Sequence, residues 1–258
     1  MMDNSKDFWN QQAETFSAGV GAVNFDPVGD ELAPWLLEKL ISDNEVVCDM
    51  GCGNGHTLLY LASKKKKSTF YGVDFAENMI KVANETKEKE GQSNVHFFVC
   101  DVKSKAVPGL FDFKFDKIIT KRLLINLKGE SKYEAIKDVH AMLKDDGTYI
   151  MMECFWEPLQ RINDIRGKLG LGEIKVKEFN EYLSSDFLER MKDLFRLEKI
   201  IDHESLYYFV SRVFNASLSN GNPDYHAPIN KLAVELVKMG ITPMSGYSPE
   251  VTALLKKL

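Results

Sequence analysis

Val46-Val-Cys-Asp-Met-Gly-Cys-Gly-Asn-Gly55 is the stretch from which the architecture follows, because it sets an acid and three alternating glycines directly behind a β-branched apolar run. Val46, Val47 and Cys48 read as a buried strand, and Thr57-Leu-Leu-Tyr-Leu-Ala62 reads as the start of a helix. Gly51, Gly53 and Gly55 have no Cβ, so the backbone between the two elements can turn sharply and let a ligand approach the main chain. A strand, a glycine turn and a helix in this order make the nucleotide cradle of a doubly wound α/β sheet.

Charge bears on which nucleotide belongs there. A dinucleotide fingerprint is G-x-G-x-x-G and offers a helix N-terminus to a pyrophosphate, whereas His56 stands where the third glycine is required. Asp49 puts a carboxylate beside the turn, which suits a ligand carrying positive charge better than two phosphates. S-Adenosylmethionine, with an ammonium and a sulfonium, is such a ligand. The segment resembles motif I of the class I S-adenosylmethionine-dependent methyltransferases, an acid followed by G-x-G-x-G; taken alone, it also fits a tight glycine turn in another α/β protein.

Two further strand ends extend the resemblance. Thr69-Phe-Tyr-Gly-Val-Asp74 is a short β-rich run whose acid lies 19 residues after Gly55, close to the interval at which an acid accepts hydrogen bonds from ribose hydroxyls. Val95-His-Phe-Phe-Val-Cys-Asp101 ends a third strand in an acid. A single strand-terminal aspartate is more often a turn former, but three in this order match the family. The resemblance implies that Asp74 holds the ribose, Phe75 lies beside the adenine, Asp101 takes the exocyclic amine and the Val102 amide faces the ring. The implied cofactor-binding set is Asp49, Gly51, Cys52, Gly53, Gly55, Asp74, Phe75, Asp101, Val102 and Thr120, with S-adenosylhomocysteine as product.

Along the chain, Phe115-Asp-Lys-Ile-Ile-Thr120 reads as a fourth strand, residues 131–143 carry helical periodicity, Asp145-Asp-Gly147 reads as a turn and Thr148-Tyr-Ile-Met-Met-Glu153 as a fifth strand. Alternating strand and helix predict a parallel sheet. Residues 196–203 and 206–214 are separated by Glu204 and Ser205 alone, which predicts a hairpin; such an antiparallel closure is what the family adds to its sheet. The expected fold is an α/β, Rossmann-like, doubly wound seven-stranded sheet, mostly parallel with a C-terminal antiparallel hairpin. The core is expected over 44–215, with an N-terminal cap over 1–43, a substrate-side insertion over 157–183 and an extension over 216–258 that carries a short amphipathic helix at 229–239. Ligands of this fold bind beyond the carboxyl ends of the strands. Trp9 and Phe16 in the cap, with the insertion, are thus candidates for a lid; equally, they staple a helix to the core.

Composition fits an ordinary globular chain of 258 residues, 44% hydrophobic and 28% charged. A formal net charge of −5 argues against nucleic acid as partner, and Lys64 to Lys67 read as the solvated end of a helix. Cys48, Cys52, Cys100 and Cys154 show no metal-ligand spacing and read as reduced thiols. The Met-Met-Asp-Asn-Ser-Lys-Asp start lacks an apolar h-region and no stretch is long enough to span a membrane, so a cytoplasmic location is expected.

Alignment and water exclusion suffice for much of methyl transfer, with a base needed only where the acceptor must lose a proton. Glu153 after strand five, and Arg122 and Asn126 after strand four, are the candidate catalytic residues; the competing reading is that Glu153 and Arg122 pair with each other or cap helices. After strand four the chain reads Thr120-Lys-Arg-Leu-Leu-Ile-Asn126, without the Asn/Asp/Ser-Pro-Pro-aromatic turn of amino-methylating nucleic-acid enzymes and without the carboxylate cluster of metal-dependent catechol methylation. No metal is expected. The 122–127, 179–183 and 211–216 stretches resemble bacterial methyltransferases of surface-glycan biosynthesis, which implies a sugar or other small polar acceptor. A homodimer is one candidate assembly, and the sequence does not fix the oligomeric state. Aminopropyl transfer and a non-catalytic cofactor-binding module are the rival functions.

Overall fold

The computed structural model describes residues 5–22, 24, 26–104 and 106–258. The first four residues of the N-terminal stretch read above lie outside them. Seven strands form one sheet: β1 (Val46–Met50), β2 (Thr69–Asp74), β3 (Val95–Val99), β4 (Phe115–Lys121), β5 (Leu143–Cys154), β6 (Phe195–Ile201) and β7 (Glu250–Lys257), in the order β3-β2-β1-β4-β5-β7-β6. The first five run parallel, and β7 lies antiparallel between β5 and β6. The order reverses at β1 and β4, so the crevice where such sheets bind ligands opens beyond Met50 and Lys121.

The strand period of two divides the core between the sheet faces. Cys48, Ile118, Tyr149 and Met151 pack under α5 (Ser131–Met142) and the 183–195 segment. Their neighbours Val47, Ile119, Ile150 and Met152 pack under α2 (Leu32–Leu40), α3 (His56–Lys64) and α4 (Glu77–Glu90). Both faces are covered, which is why the central strands read as continuous apolar runs. The Asp145-Asp-Gly147 turn is absorbed into β5 as an irregularity: Phe115 pairs with Leu143 and Lys117 with Thr148, and Asp146 takes φ +61°.

The antiparallel pair is present, but its second strand differs from the one expected. Residues 205–218 are helical, running from α7 (Ser205–Phe209) through a π-helical stretch (Val210–Asn215) into α8 (Ala216–Leu218). The aromatic and β-branched content of 206–214 favours a strand, yet Tyr207 and Val210 are buried against Val28, Leu32 and α9 (Pro228–Lys238), and Val213 against Leu159 and Ile162 of the helix at Trp156–Lys168. Tertiary packing decides against local propensity. The strand comes instead from Glu250–Lys257, in the segment read as an extension, which pairs with β5 on one side and β6 on the other.

Two peripheral elements reach the crevice. α1 (Ser5–Phe16) lies along α4, and α6 (Trp156–Lys168) leads into an irregular stretch that returns to the sheet end through a bridge between Phe155 and Leu183. Among the described residues no helix is long and apolar enough to cross a membrane.

Candidate active site

β1 ends at Met50 and the chain turns through Gly51, Gly53 and Gly55, all at positive φ. The glycines have different reasons to be there. At Gly55 a Cβ would lie 2.6 Å from the Phe97 ring, so this position is required by packing of the turn on β3. Gly51 sits opposite Leu123, where a Cβ would come within 2.9 Å. Gly53 donates its amide to Asp74 Oδ2 at 2.9 Å, and Ala76 donates to Asp74 Oδ1 at 2.9 Å. Those bonds fix the carboxylate at the end of β2 while lone pairs remain for a pair of hydroxyls. Burial raises the Asp74 pKa against the pull of these amides.

Beyond the turn lies a cavity of about 290 Å³. Asp49 lines it, is almost wholly buried, and has Oδ1 without a hydrogen-bond partner. Burial pushes its carboxyl up to about 7, with Asp74 adding to the rise and Lys121 opposing it. An orphaned acid in a cavity fits a cationic group of a ligand, and the ammonium of S-adenosylmethionine is of that kind. Gly51, Cys52, Gly53, Asp74, Phe75 and Val102 share the wall with Asp49.

Four expected site residues lie off it. Gly55 is the packing glycine just described. Asp101 turns its carboxylate to the Lys103 amide at 2.8 Å, making a local turn, and it is Cys100 and Val102 on either side that reach the cavity. Thr120 is fully buried and shares a 2.8 Å hydrogen bond with the Tyr149 hydroxyl in the core. Glu153, expected to project toward an acceptor, is also fully buried: Oε1 accepts the amides of Leu123 at 3.1 Å and Leu124 at 3.0 Å, and Oε2 that of Ile125 at 3.4 Å. Burial pushes the Glu153 carboxyl up to about 7, in spite of these amides. It holds the start of the turn after β4 in place, which is the capping reading, whereas direct pairing with Arg122 is absent from its contacts.

That turn carries the other two candidates onto the wall. Arg122 adopts φ +55°, an uncommon conformation for a side chain of its size, and donates its amide to Met152 O at 2.9 Å. Its guanidinium faces Asp30 at 3.4 Å and Glu250 at 3.8 Å. Burial disfavours the charge, but the two carboxylates outweigh it and hold the Arg122 pKa above its ordinary value. Asn126 donates to Arg122 O at 2.6 Å, while its Oδ1 is buried without a partner. Lys121 shares Asp30 with Arg122, at 3.4 Å, and reaches Thr57 Oγ1 at 3.1 Å.

The roof was only partly legible in the sequence. Phe8 and Trp9 of α1 meet Phe179 with ring centroids 5.2 and 6.4 Å apart, and Trp9, Phe179 and Tyr182 line the cavity. Trp9 also packs beside Ala76 and Met79, so it both staples α1 and lines the cavity; Phe16 is exposed and is not among the lining residues. Asn54 was not singled out, yet it donates to Ser17 O at 3.0 Å and Gly19 O at 3.1 Å, tying the end of α1 to the glycine turn. Lys121, Lys175 and Lys177 were missed as well; Lys121 could have been found, since it follows Thr120 at a strand end.

Known proteins place this geometry. A family model described as a methyltransferase domain matches residues 41–213. The ribosomal protein L11 methyltransferase of Caldanaerobacter subterraneus is 29% identical over 149 residues, 58% of this chain and 44% of that protein. A carboxy-S-adenosyl-L-methionine synthase of Campylobacter jejuni is 28% identical over 124 residues, 48% of this chain and 50% of that one. The chain thus spans about half the length of these curated relatives. The magnesium protoporphyrin IX methyltransferase of Synechocystis PCC 6803, solved with bound S-adenosylmethionine, superposes with a TM-score of 0.58 at 16% identity, covering 100% of this chain and 98% of its own. With the matched residues running from the end of α2 through the glycine turn and β6 to the helix after it, the chain belongs to the methyltransferase domain family and has the class I S-adenosylmethionine-dependent fold.

Proposed function

We propose that the protein binds S-adenosylmethionine in this cavity and moves its methyl group to an oxygen or nitrogen of a small polar metabolite or of a sugar or glycan precursor, leaving S-adenosylhomocysteine. The observation that carries the reading is the Asp49 carboxylate, with Oδ1 unpartnered, on the wall of a cavity that Arg122, Asn126 and Tyr182 also line. The relatives differ in what their names say they act on, so the acceptor class is argued from the cavity. A space of about 290 Å³ roofed by Trp9 and Phe179 favours a small acceptor over a protein segment or a nucleic-acid strand.

When bound, the cofactor supplies a methyl carbon that the sulfonium has already made electrophilic. The rest falls to the chain. Asp49, near the end of β1, would hold the ammonium, and Asp74, which ends β2, the ribose hydroxyls. Phe75 and Val102 would flank the adenine. The Phe8–Trp9–Phe179 cluster would exclude water, and Arg122 and Asn126 would orient the acceptor with an unused acceptor oxygen at Asn126 Oδ1. Glu153 supports this as a positioning residue, through the amides of residues 123–125.

The test is incubation with S-adenosylmethionine and a panel of small hydroxyl and amine acceptors, followed by product analysis. S-Adenosylhomocysteine formed together with one methylated acceptor is expected. Methylthioadenosine from a decarboxylated donor would replace the reading with aminopropyl transfer, and no product from any panel would favour a cofactor-binding module.

A further inference from the structure

The antiparallel end of the sheet holds a polar cluster outside the residues that line the cavity. His203 and Glu204 follow β6, and Glu250 begins β7, paired with Cys154 at the end of β5. His203 Nε2 lies 3.8 Å from Glu204 Oε1 and 3.8 Å from Glu250 Oε1, and one donor atom from each of the three residues lies within 4.8 Å of the other two. His203 is 3% exposed and Glu250 6%. Neither 3.8 Å contact is a hydrogen bond, and Nε2 is buried without a partner. Such an atom costs stability unless a further group engages it.

The cluster is not an ordinary ion pair. A carboxylate draws an imidazolium to hydrogen-bonding distance, which neither carboxylate does here. Burial also lowers the His203 pKa, against the pull of Glu250 and Asp202. With its proton on Nδ1, which meets Thr252 Oγ1 at 3.4 Å, the ring leaves the Nε2 lone pair to two carboxylate oxygens. A lone pair and two anionic oxygens brought together repel, and a cation among them reverses that. The remaining oxygens have other partners: Glu250 Oε2 faces Arg122 Nε at 3.8 Å, and Glu204 Oε2 accepts from Ser248 Oγ at 3.2 Å. The two segments are also fixed to each other, since Ser205 Oγ accepts the amides of Tyr247 at 2.8 Å and Ser248 at 3.1 Å.

We propose that His203 Nε2, Glu204 Oε1 and Glu250 Oε1 hold one divalent transition-metal ion, of which zinc is the type, at the junction of β6, α7 and β7. An imidazole with two carboxylates is a donor set for zinc, whereas magnesium and calcium take oxygen ligands. Zinc holds nitrogen and oxygen donors at about 2.0–2.2 Å and so sets them roughly 3–3.6 Å apart, near the spacing seen about Nε2. Solvent completes the coordination, and Glu204, with 13% of its side chain exposed, gives the ion its way in. The ion clips the start of the interior strand β7 to the end of β6. Methyl transfer itself asks for no metal, so the site is structural and stands or falls apart from the function proposed above. Its donors come from segments far apart in sequence, which is why no ligand spacing announces them.

The experiment titrates the full chain, stripped of metal by a chelator and then freed of the chelator, with Zn²⁺, Mg²⁺ and Co²⁺. Calorimetry, thermal melting and the visible absorption of Co²⁺ are the readouts. One equivalent of Zn²⁺ is expected to bind, with Mg²⁺ at least roughly hundredfold weaker, and to raise the melting temperature. Co²⁺ should give visible ligand-field bands without thiolate charge transfer. Glu204→Gln keeps the shape of the side chain, and His203→Gln removes the nitrogen donor; each is expected to weaken Zn²⁺ at least roughly tenfold. If His203→Gln does not melt cooperatively, Glu204→Gln decides alone. Absence of Zn²⁺ binding by the parent, Mg²⁺ bound as tightly as Zn²⁺, a thiolate band with Co²⁺, or parent-like Zn²⁺ affinity in a folded variant would overturn the site.

Discussion

Asp49 and Glu153 are both buried acids held near pKa 7, and they have opposite uses. Asp49 has an oxygen with no partner and a cavity in front of it; both Glu153 oxygens are occupied by backbone amides. Each binds a proton in the fold that the unfolded chain releases above the ordinary carboxylate pKa. The stability they contribute is therefore present below about pH 4 and is lost as pH rises through 7. For Asp49 a bound cation reverses the preference, since it selects the carboxylate. S-Adenosylhomocysteine affinity should thus rise between pH 5.5 and 8, while in Asp49→Asn it should be weak and flat; a flat profile in the parent would remove Asp49 from the ammonium site. For Glu153 the expectation is structural. Glu153→Ala should lower stability by about 1–3 kcal/mol by leaving buried amides unpaired, measured by thermal melting, with S-adenosylhomocysteine affinity nearly unchanged. An unchanged melting temperature would refute the capping role. The sequence showed an acid at a strand end in both cases; which way each carboxylate turns depends on the chain that follows β4, and no local pattern encodes that.

At the scale of elements, the glycine turn with its flanking strand and helix was legible because strand, turn and helix signals are all local. So were β2 to β5, whose buried apolar runs need no knowledge of their partners. The antiparallel closure was not. Residues 206–214 and 250–257 both carry strand-forming side chains, and what separates them is long-range: Tyr207 hydrogen-bonds Asp26 at 2.6 Å across the molecule, committing its segment to a helix against α2 and α9. β7 is an interior strand, so removing it orphans the backbone of β5 and β6 together. A chain ending at residue 248 should lose cooperative thermal unfolding, and a truncated chain melting like the parent would contradict the topology. The 157–183 insertion was read as a lid candidate from its place after β5, but the aromatic contact that ties it to α1 joins residues 8 and 179, far apart in sequence. With S-adenosylhomocysteine bound, Phe179→Ala should be cut by trypsin after Lys175 and Lys177 several-fold faster than the parent, at a similar melting temperature. Equal cleavage would show that the rings do not hold the stretch down.

The whole molecule brings a cradle built from local sequence together with a roof assembled from α1 and the stretch around Phe179. The cradle carries the family's glycine turn, and on the function proposed above the roof, with Arg122 and Asn126, is where the acceptor would be set. The claim on which everything else depends is that S-adenosylmethionine lies against the turn at Gly53. Calorimetric titration of S-adenosylhomocysteine into the parent, Asp49→Ala and Gly53→Val tests it most directly. Valine at Gly53, where φ is +54°, puts branched carbons against the ligand path in a conformation that β-branched residues resist. One equivalent bound by the parent, and no measurable binding by either variant while Asp49→Ala still melts cooperatively, is the predicted result; near-parent affinity in both variants, or no binding by the parent, would contradict the account.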